Sequence, residues 1–590
     1  MSRTQFWKKY REEYVTLMKL GFPVMLTQLG VIVMSFADTM MVGAYGVEQL
    51  ASSAFVNSLF IIPMVMLSGL AAGITPLVGA LYTRNDRYAV GRIARAGLQI
   101  NAIVSLIFTA VMGILYFYLD RFGQSDELLP FIRPYYLTLL TTLLPMSLFN
   151  ALSQTSNGMT DTRTPMWFIL GAIALNILGN YVLIFGHFGF PEMGLTGAGI
   201  ATSVARFAGL AGIAVMYGRG RRYSGCREGM ASPEGLGAER RKVWVTSYPV
   251  MIQSGIECSL WSFGAVVCGW FGKIQLAAFQ VVNTIGQLGF MLYMSFGIAT
   301  SIRIANYCGL NDETGVRQAA NAGFHLNLML ATFSSLLMIL FAHPLIGIFS
   351  SDADVISTAT TLVIPLVLYQ YLDASQLTYM NAIRGTSVVK PLLWIALISY
   401  VAVGIPVSLL FAVAFGWECV GVYYSFNVAL LVATILAVLA FRRVRSEEWL
   451  IINLKFATMA KQEYIEKNTL WLKAKGEEAD VKSLDKGIYY KVLKTGHRNG
   501  ASPNRGSVVT VHYTGKTING KTFDNSRGGI APAFRLRDLI PGWIIALQQM
   551  HAGDRWEVYI PASQAYGKIN QPGIPGGSTL IFDIELLGVN

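Results

Sequence analysis

From about Val15 to about Leu439 the chain runs through one apolar stretch after another. Most are about 20 residues or longer, the length that crosses the roughly 30 Å hydrocarbon layer of a bilayer. A backbone in that layer must satisfy its own polar groups, so the stretches read as helices. About twelve spans begin near residues 15, 51, 93, 131, 165, 195, 245, 276, 318, 357, 391 and 421. After Phe441 the sequence turns polar, charged and mixed, and a soluble domain is predicted there. Across 590 residues, 53% are hydrophobic and 14% charged, far from the balance of an ordinary soluble protein.

Charge predicts which side each connection faces. One set carries Arg84, Arg87, Arg92, Arg163, Arg219, Arg221, Arg222, Arg240, Arg241, Lys242, Arg384 and Lys390. The other set carries Glu48, Asp126, Glu127, Glu192, Asp352, Asp354 and Glu418. The positive-inside rule puts the basic set in the cytoplasm. Both termini fall on that side, since Lys8, Lys9 and Arg11 precede the first span and Arg442, Arg443 and Arg445 follow the last. The net charge of +12 is then largely topology, and no nucleic-acid partner is expected. The basic N-terminus leads into a full-length span rather than a short apolar core, so no cleavable signal is expected. The five cysteines form no CxxC pair, against a disulfide scaffold or a structural zinc site.

The membrane region repeats itself. Pro249 and Pro23 differ by 226, and the same offset links Gly269 with Gly43, Gln275 with Gln49, Asn283 with Asn57, Asn311 with Asn85, Asn327 with Asn101 and Pro391 with Pro165. This predicts two six-helix bundles in parallel orientation, residues 1–220 and 245–445, joined by a cytoplasmic linker at 221–244. Repeat-built transporters place substrate between such halves and rock one against the other.

A carboxylate in a hydrocarbon span is costly and asks for a function. Three qualify: Asp38 in the first span, Glu257 in the seventh and Asp373 in the tenth. Their repeat partners are not acidic, Asp38 falling opposite Gly264. Glu257 and Asp373 are the better candidates for binding a proton or a small hard cation. Asp38, near the outer end of its helix, could instead be held by a neighbouring helix. Phe290-Met291-Leu292-Tyr293-Met294 could line a cavity for flat cations, with helix packing the plainer expectation.

The segments Pro23–Gln28 and Ala37-Asp38-Thr39-Met40-Met41-Val42-Gly43, Leu175-Asn176-Ile177-Leu178, Pro249 with Glu257, and Tyr369-Gln370-Tyr371-Leu372-Asp373-Ala374 resemble the multidrug and toxic-compound extrusion (MATE) transporters of the NorM branch. The resemblance implies efflux of organic cations driven by inward sodium or protons across a bacterial inner membrane. It implies a cation site at Glu257, Tyr369 and Asp373 in the second bundle, with no metal beyond a transported sodium at Glu257 and Asp373. A further site at Asp38 and Asn176 is implied in the first. Asn180 stands where some relatives carry a second aspartate, which favours the second-bundle site and sodium.

The tail reads as a helical linker at 446–483, then an antiparallel α+β domain at 484–590. Val509, Val511 and Tyr513 alternate before Asn519-Gly520, a hairpin turn signal. A short helix is expected at 537–549, and strands at Arg555–Ile560 and Leu580–Leu587. Gly515 to Thr522 (GKTINGKT) fits the phosphate-loop pattern, but that loop must open a helix and here it sits in a hairpin; no nucleotide cofactor is expected. Val511-His512-Tyr513-Thr514-Gly515, Thr522-Phe523-Asp524-Asn525-Ser526, Leu539-Ile540-Pro541-Gly542-Trp543, Ala565-Tyr566-Gly567 and Ile581-Phe582-Asp583 resemble FKBP-type peptidyl-prolyl isomerases. The resemblance implies a proline pocket lined by Tyr513, Phe523, Asp524, Leu539, Ile540, Trp543, Tyr566 and Phe582, with Pro532 where an aromatic wall is common.

The expected protein is thus an all-α polytopic membrane transporter of twelve helices with a small cytoplasmic α+β domain that binds prolyl segments. Two other readings compete with it. A flippase for lipid-linked or oligosaccharide cargo should show basic residues in its spans, and the span charges noted above are mostly acidic. A membrane-anchored prolyl isomerase would need no charge in its anchor.

Overall fold

The computed structural model describes residues 3–123, 125–232, 235–443, 464–496, 502–567, 569, 571 and 574–590. The chain divides into two compact units, residues 1–445 and 446–590.

The first unit is helical. Among the described residues eleven helices are long and apolar enough to span a membrane, and the bent pair Ala353–Thr361 and Val363–Gly385, with a 45° angle between them, makes twelve when read as one span. In order the others are Tyr10–Tyr45, Val47–Thr83, Arg87–Tyr116, Leu129–Gly158, Arg163–Phe185, Gly194–Arg219, Gly237–Trp270, Lys273–Leu310, Glu313–Leu340, Lys390–Ala414 and Glu418–Arg443. Outer faces are apolar and exposed: Ile103, Leu106, Ile107, Val111 and Ile114 make one stripe along the third span. Such a stripe is what a lipid-facing helix presents.

The repeat is structural down to its caps. Asp86 accepts a hydrogen bond from Ala89 N at 3.0 Å, and Asp312, 226 positions on, accepts one from Gly315 N at 2.9 Å. The residues just before them, Asn85 and Asn311, share a left-handed backbone at φ 59° and 58°. Asparagine tolerates that region better than most residues. Gln49 accepts from Leu195 N at 2.5 Å, while its counterpart Gln275 donates to Glu418, so each glutamine pins the last span of its own bundle.

The two bundles meet toward the ends that carry the basic connections. Thr83 Oγ1 donates to Asn306 O at 3.2 Å and Arg84 Nε to Gly309 O at 2.8 Å. Arg92 pairs with Glu239 at 2.8 Å. Arg303 donates to Glu13 at 2.9 and 3.0 Å, and Tyr307 adds a third bond to that carboxylate. Gly73 permits the approach: a Cβ there would lie 2.5 Å from Ser247 Oγ and 2.6 Å from Thr246 O. Residues 221–244, expected as a linker, hold the helix Ser224–Met230 and the start of the seventh span. Ser232 at its end is held by Tyr88 at 2.9 Å.

The second unit is built on one antiparallel sheet. Its strands are β1 (Lys482–Ser483), β2 (Tyr489–Lys494), β3 (Val508–Thr517), β4 (Thr522–Asn525), β5 (Ala533–Arg535), β6 (Arg555–Ile560) and β7 (Leu580–Val589). Their order is β1-β2-β6-β7-β3-β4, with β5 on β3. The helix Pro541–Leu547 packs against it over a core of Val509, Val511, Leu547, Trp556, Val558, Ile584 and Leu586. The phosphate-loop-like segment is the β3–β4 hairpin, with Gly520 at φ 78°. Of the expected linker, residues 446–463 lie outside the described residues. A helix over 464–476 belongs to the domain: Asn468 Oδ1 accepts from Thr579 N at 2.8 Å, Tyr464 bonds Ser578 at 2.8 Å, and Trp471 packs edge-on to Tyr559.

Candidate functional site

In the second bundle the expected residues meet inside the helices. Glu257, on the seventh span, accepts from Gln253 Nε2 one turn earlier at 2.9 Å. Tyr400, on the eleventh span, reaches the other oxygen of Glu257 at 3.5 Å and accepts from Gln376 Nε2 at 2.8 Å. Asp373, on the tenth span, is only 1% exposed. Tyr369, one turn earlier, and Glu257 both lie within electrostatic reach of it. Asp373 Oδ2 has no hydrogen-bond partner among the described residues. An unpaired carboxylate oxygen buried in a span is expensive unless something is meant to bind it.

Arg384 requires a correction. It was grouped with the basic connections, but it lies in the helix Val363–Gly385, buried. It donates to Gln253 Oε1 at 3.5 Å and to Asn381 at 3.2 Å, and its charge is felt at Glu257. Tyr400 lies in a π-helical stretch, Leu397–Gly404, just before Pro406. The proline ring cannot accept a normal turn beneath it, and the helix widens instead. The Tyr400 ring also lines a cavity of about 260 Å³ between the bundles, walled by Ile62 and Met66 on one side and Ile256, Ser259 and Ile405 on the other. One side chain therefore touches both the acidic network and the space between the bundles.

In the first bundle Asp38 accepts from Asn180 Nδ2. Asn176, expected beside Asp38, donates instead to Thr202 Oγ1 at 3.1 Å; its relation to Asp38 runs through the helix turn it shares with Asn180. The Oδ1 atoms of Asn176 and Asn180, both fully buried, have no partner among the described residues. Within the methionine-rich stretch, Tyr293 is packed and bonded to Gln370 and Ser334 at 2.5 Å each. Met291 alone reaches across, to Gln28 of the first span at 3.5 Å.

In the soluble domain Trp543 is the floor of an aromatic cup. Tyr513 and Phe582 stand edge-on to it at 5.0 and 5.2 Å between ring centres, and Phe523 stands edge-on to Phe582 at 5.6 Å. Leu539 and Ile540 pack against the same cluster, and Tyr566, exposed, lies within electrostatic reach of Tyr513. Tyr513 Oη donates to Asp524 at 2.7 Å. Burial, together with that carboxylate, raises the Tyr513 phenol above its ordinary value. The wall sought at Pro532 is supplied two residues on: Phe534, on β5, stands perpendicular to Trp543 at 6.2 Å. Behind the cup Arg555 grips Asp583 at 2.6 and 2.8 Å, and Arg527 joins Asp583 at 3.0 Å and Glu585 at 3.2 Å.

The family profile described as MatE matches residues 23–182 and 249–410, one match in each bundle. The chain belongs to the MatE family. In the MATE region it is similar to the probable multidrug resistance protein NorM of Oceanobacillus iheyensis, 28% identical over 395 residues, covering 66% of this chain and 88% of the relative. The NorM of Bradyrhizobium diazoefficiens is likewise 28% identical, over 436 residues, covering 73% and 93%. The fold resembles the eukaryotic MATE transporter AtDTX14, with TM-score 0.66 and 18% identity over 75% of this chain and 100% of that one. It also resembles the Vibrio cholerae MATE transporter VcmN in its bent form, with TM-score 0.65 and 18% identity over 75% and 99%. Residues 500–587 match the FKBP-type peptidyl-prolyl cis-trans isomerase profile, so the MATE region carries an FKBP-type domain at its C-terminal side.

Proposed function

We propose that this protein is a secondary-active exporter of organic, drug-like cations in a bacterial inner membrane. Inward movement of sodium, or of protons, through the second bundle drives it. The observation that carries the reading is the unpaired Oδ2 of buried Asp373, beside Tyr369 and within the field of Glu257. A cation there satisfies both carboxylates; when it leaves, Tyr400 feels the change in Glu257 and presents it to the cavity between the bundles. Carboxylate oxygens with neutral phenol and amide groups suit a small hard cation, which favours sodium.

The test is uptake of a fluorescent organic cation by proteoliposomes under separate sodium and proton gradients, with Glu257→Gln and Asp373→Asn alongside. Each variant should lose most gradient-driven uptake. Parent-like transport by both removes the site.

The FKBP-type domain acts, in this reading, as a cytoplasmic peptidyl-prolyl isomerase. Turning a prolyl amide through its twisted form meets a barrier of about 18–20 kcal/mol, set by resonance. A dry aromatic cup favours the twisted, less polar amide over the planar one. Trp543 Nε1, buried and without a partner among the described residues, is free to donate to a bound peptide. Catalysis of prolyl-peptide isomerisation should fall when Tyr566→Phe and Trp543→Ala are combined. Retained activity in that double variant refutes the pocket.

A further inference from the structure

Two cysteines that the exporter reading does not use meet at the acidic end of the second bundle. Cys268 stands two residues before the end of the seventh span, Gly237–Trp270, and Cys419 is the second residue of the last, Glu418–Arg443. Both are fully buried, and their sulfurs lie 3.0 Å apart. They are 151 residues apart in the chain, so no local spacing announces them. The counterpart of Cys268 in the first bundle, 226 positions earlier, is Val42, buried as well. A plain apolar side chain serves there.

The surroundings leave the pair one chemistry. Among the described residues no third His, Cys, Asp or Glu joins them to make a metal site, and a structural zinc takes four ligands. Thiols are weak donors: Cys419 has the Gln275 carbonyl at 3.2 Å, and Cys268 has the other sulfur. A disulfide sets its sulfurs about 2.05 Å apart, and both residues sit in end turns of their helices, where the backbone adjusts most easily. The junction is already tied around them. Gln275 donates to Glu418, and Glu418 holds a left-handed φ of 49°, a conformation that persists only where its surroundings enforce it.

Sidedness separates this pair from the other cysteines. With the basic connections in the cytoplasm, the acidic end faces outward, where disulfides form and persist. Cys308, near the end of Lys273–Leu310, and Cys226, in Ser224–Met230, lie toward the basic end, and Cys258 lies within the seventh span. The cysteines that meet are the two on the oxidising side.

We propose that Cys268 and Cys419 are joined by a disulfide in the mature protein, a staple between the seventh and last spans. The oxidant is a protein disulfide of the outer compartment. One cysteine thiolate attacks it, forming a mixed disulfide and releasing one oxidant thiol; the second cysteine thiolate then displaces the other. Two electrons and two protons pass from the pair to the oxidant, which leaves as a dithiol. Because the packed pair is buried, the exchange takes place while the chain is inserted, before these ends close. The staple lies within one bundle, so it braces the span that carries Glu257 and leaves the bundles able to part. The inference rests on the sidedness of the exporter reading, not on its cargo or coupling ion.

The test uses the full chain, expressed in a bacterium with an intact oxidising periplasm. Cells are quenched in acid, and the protein is denatured, alkylated with N-ethylmaleimide without reductant, digested and analysed by mass spectrometry. The peptides carrying Cys268 and Cys419 should be recovered joined in most molecules, with Cys226, Cys258 and Cys308 alkylated. Reductant added before alkylation should release them as two alkylated peptides. Sidedness is read separately: Asp352→Cys, exposed at an acidic connection, should react with a membrane-impermeant maleimide in spheroplasts above the parent's background.

Alkylated Cys268 and Cys419 beside a labelled Asp352→Cys overturn the disulfide and leave the exporter reading standing. An Asp352→Cys that labels only after lysis overturns the sidedness, and the proposal with it. Cys268 or Cys419 joined to any other cysteine refutes the pairing.

Discussion

Glu13 is the residue whose change should most directly alter which way the bundles open. Its carboxylate is 4% exposed and takes two bonds from Arg303 and one from Tyr307 of the opposite bundle. When the bundles part at this end all three bonds go, and water replaces them. Glu13→Gln keeps the shape and removes the charge. Breaking a fully buried pair costs 3–5 kcal/mol, but Arg303 is 24% exposed and regains some water, so about 2 kcal/mol is the expected loss. That favours the parted state about 30-fold, at about 1.4 kcal/mol per decade.

Spin labels at Arg163→Cys and Lys390→Cys, both exposed at the basic ends of their spans, would read the distance. The half-buried Cys258 and Cys308 would first be replaced by serine. Electron–electron resonance should show a longer-distance population in Glu13→Gln that is minor in the parent. Arg303→Gln should do the same, and the double variant should add little, because paired residues are not additive. Superimposable distributions in parent and Glu13→Gln would refute the reasoning.

Three further outcomes are expected. Gly73→Val places atoms against the Thr246 and Ser247 backbone, an overpacking worth about 1–3 kcal/mol, and the same labels should show the bundles held apart. Phe534→Ala, which removes the wall beside Trp543, should cut kcat/KM for prolyl-peptide isomerisation about tenfold or more while far-ultraviolet circular dichroism of the domain is kept. Asp583 is raised by burial but lowered more by Arg555 and Arg527, and its carboxyl sits below the usual value. The pairing therefore stabilises the domain above the unfolded carboxyl value near 3.9, and that stability fades as pH falls through the lower folded value. Urea midpoints of residues 464–590 should drop on acidification from pH 5 to 3, and less steeply in Asp583→Asn.

Much of the architecture could be read from residue patterns because bilayer physics leaves few choices. Apolar length marks the spans, and an offset of 226 marks the repeat. The carboxylates stood out since a charge in hydrocarbon needs a reason. Arg384 did not, because an arginine in the last turn of a helix has an ordinary explanation in the helix dipole; only packing shows it turned inward. Gln253, Gln376 and Tyr400 left no trace, since neutral polar residues commonly join membrane helices. In the soluble domain Phe534 was hidden on a three-residue strand, and the helix at 464–476 by its charged, linker-like composition.

The π-helical stretch at Leu397–Gly404 has a mechanical meaning of its own. A π turn holds one residue more than an α turn, at poorer hydrogen-bond geometry. Expelling that residue would rotate one side of the break against the other by about 100°, the angle one residue subtends in an α-helix. The Tyr400 phenol would then turn away from Glu257. The eleventh span thus stores a quarter-turn that can be released by shifting a hydrogen-bond register.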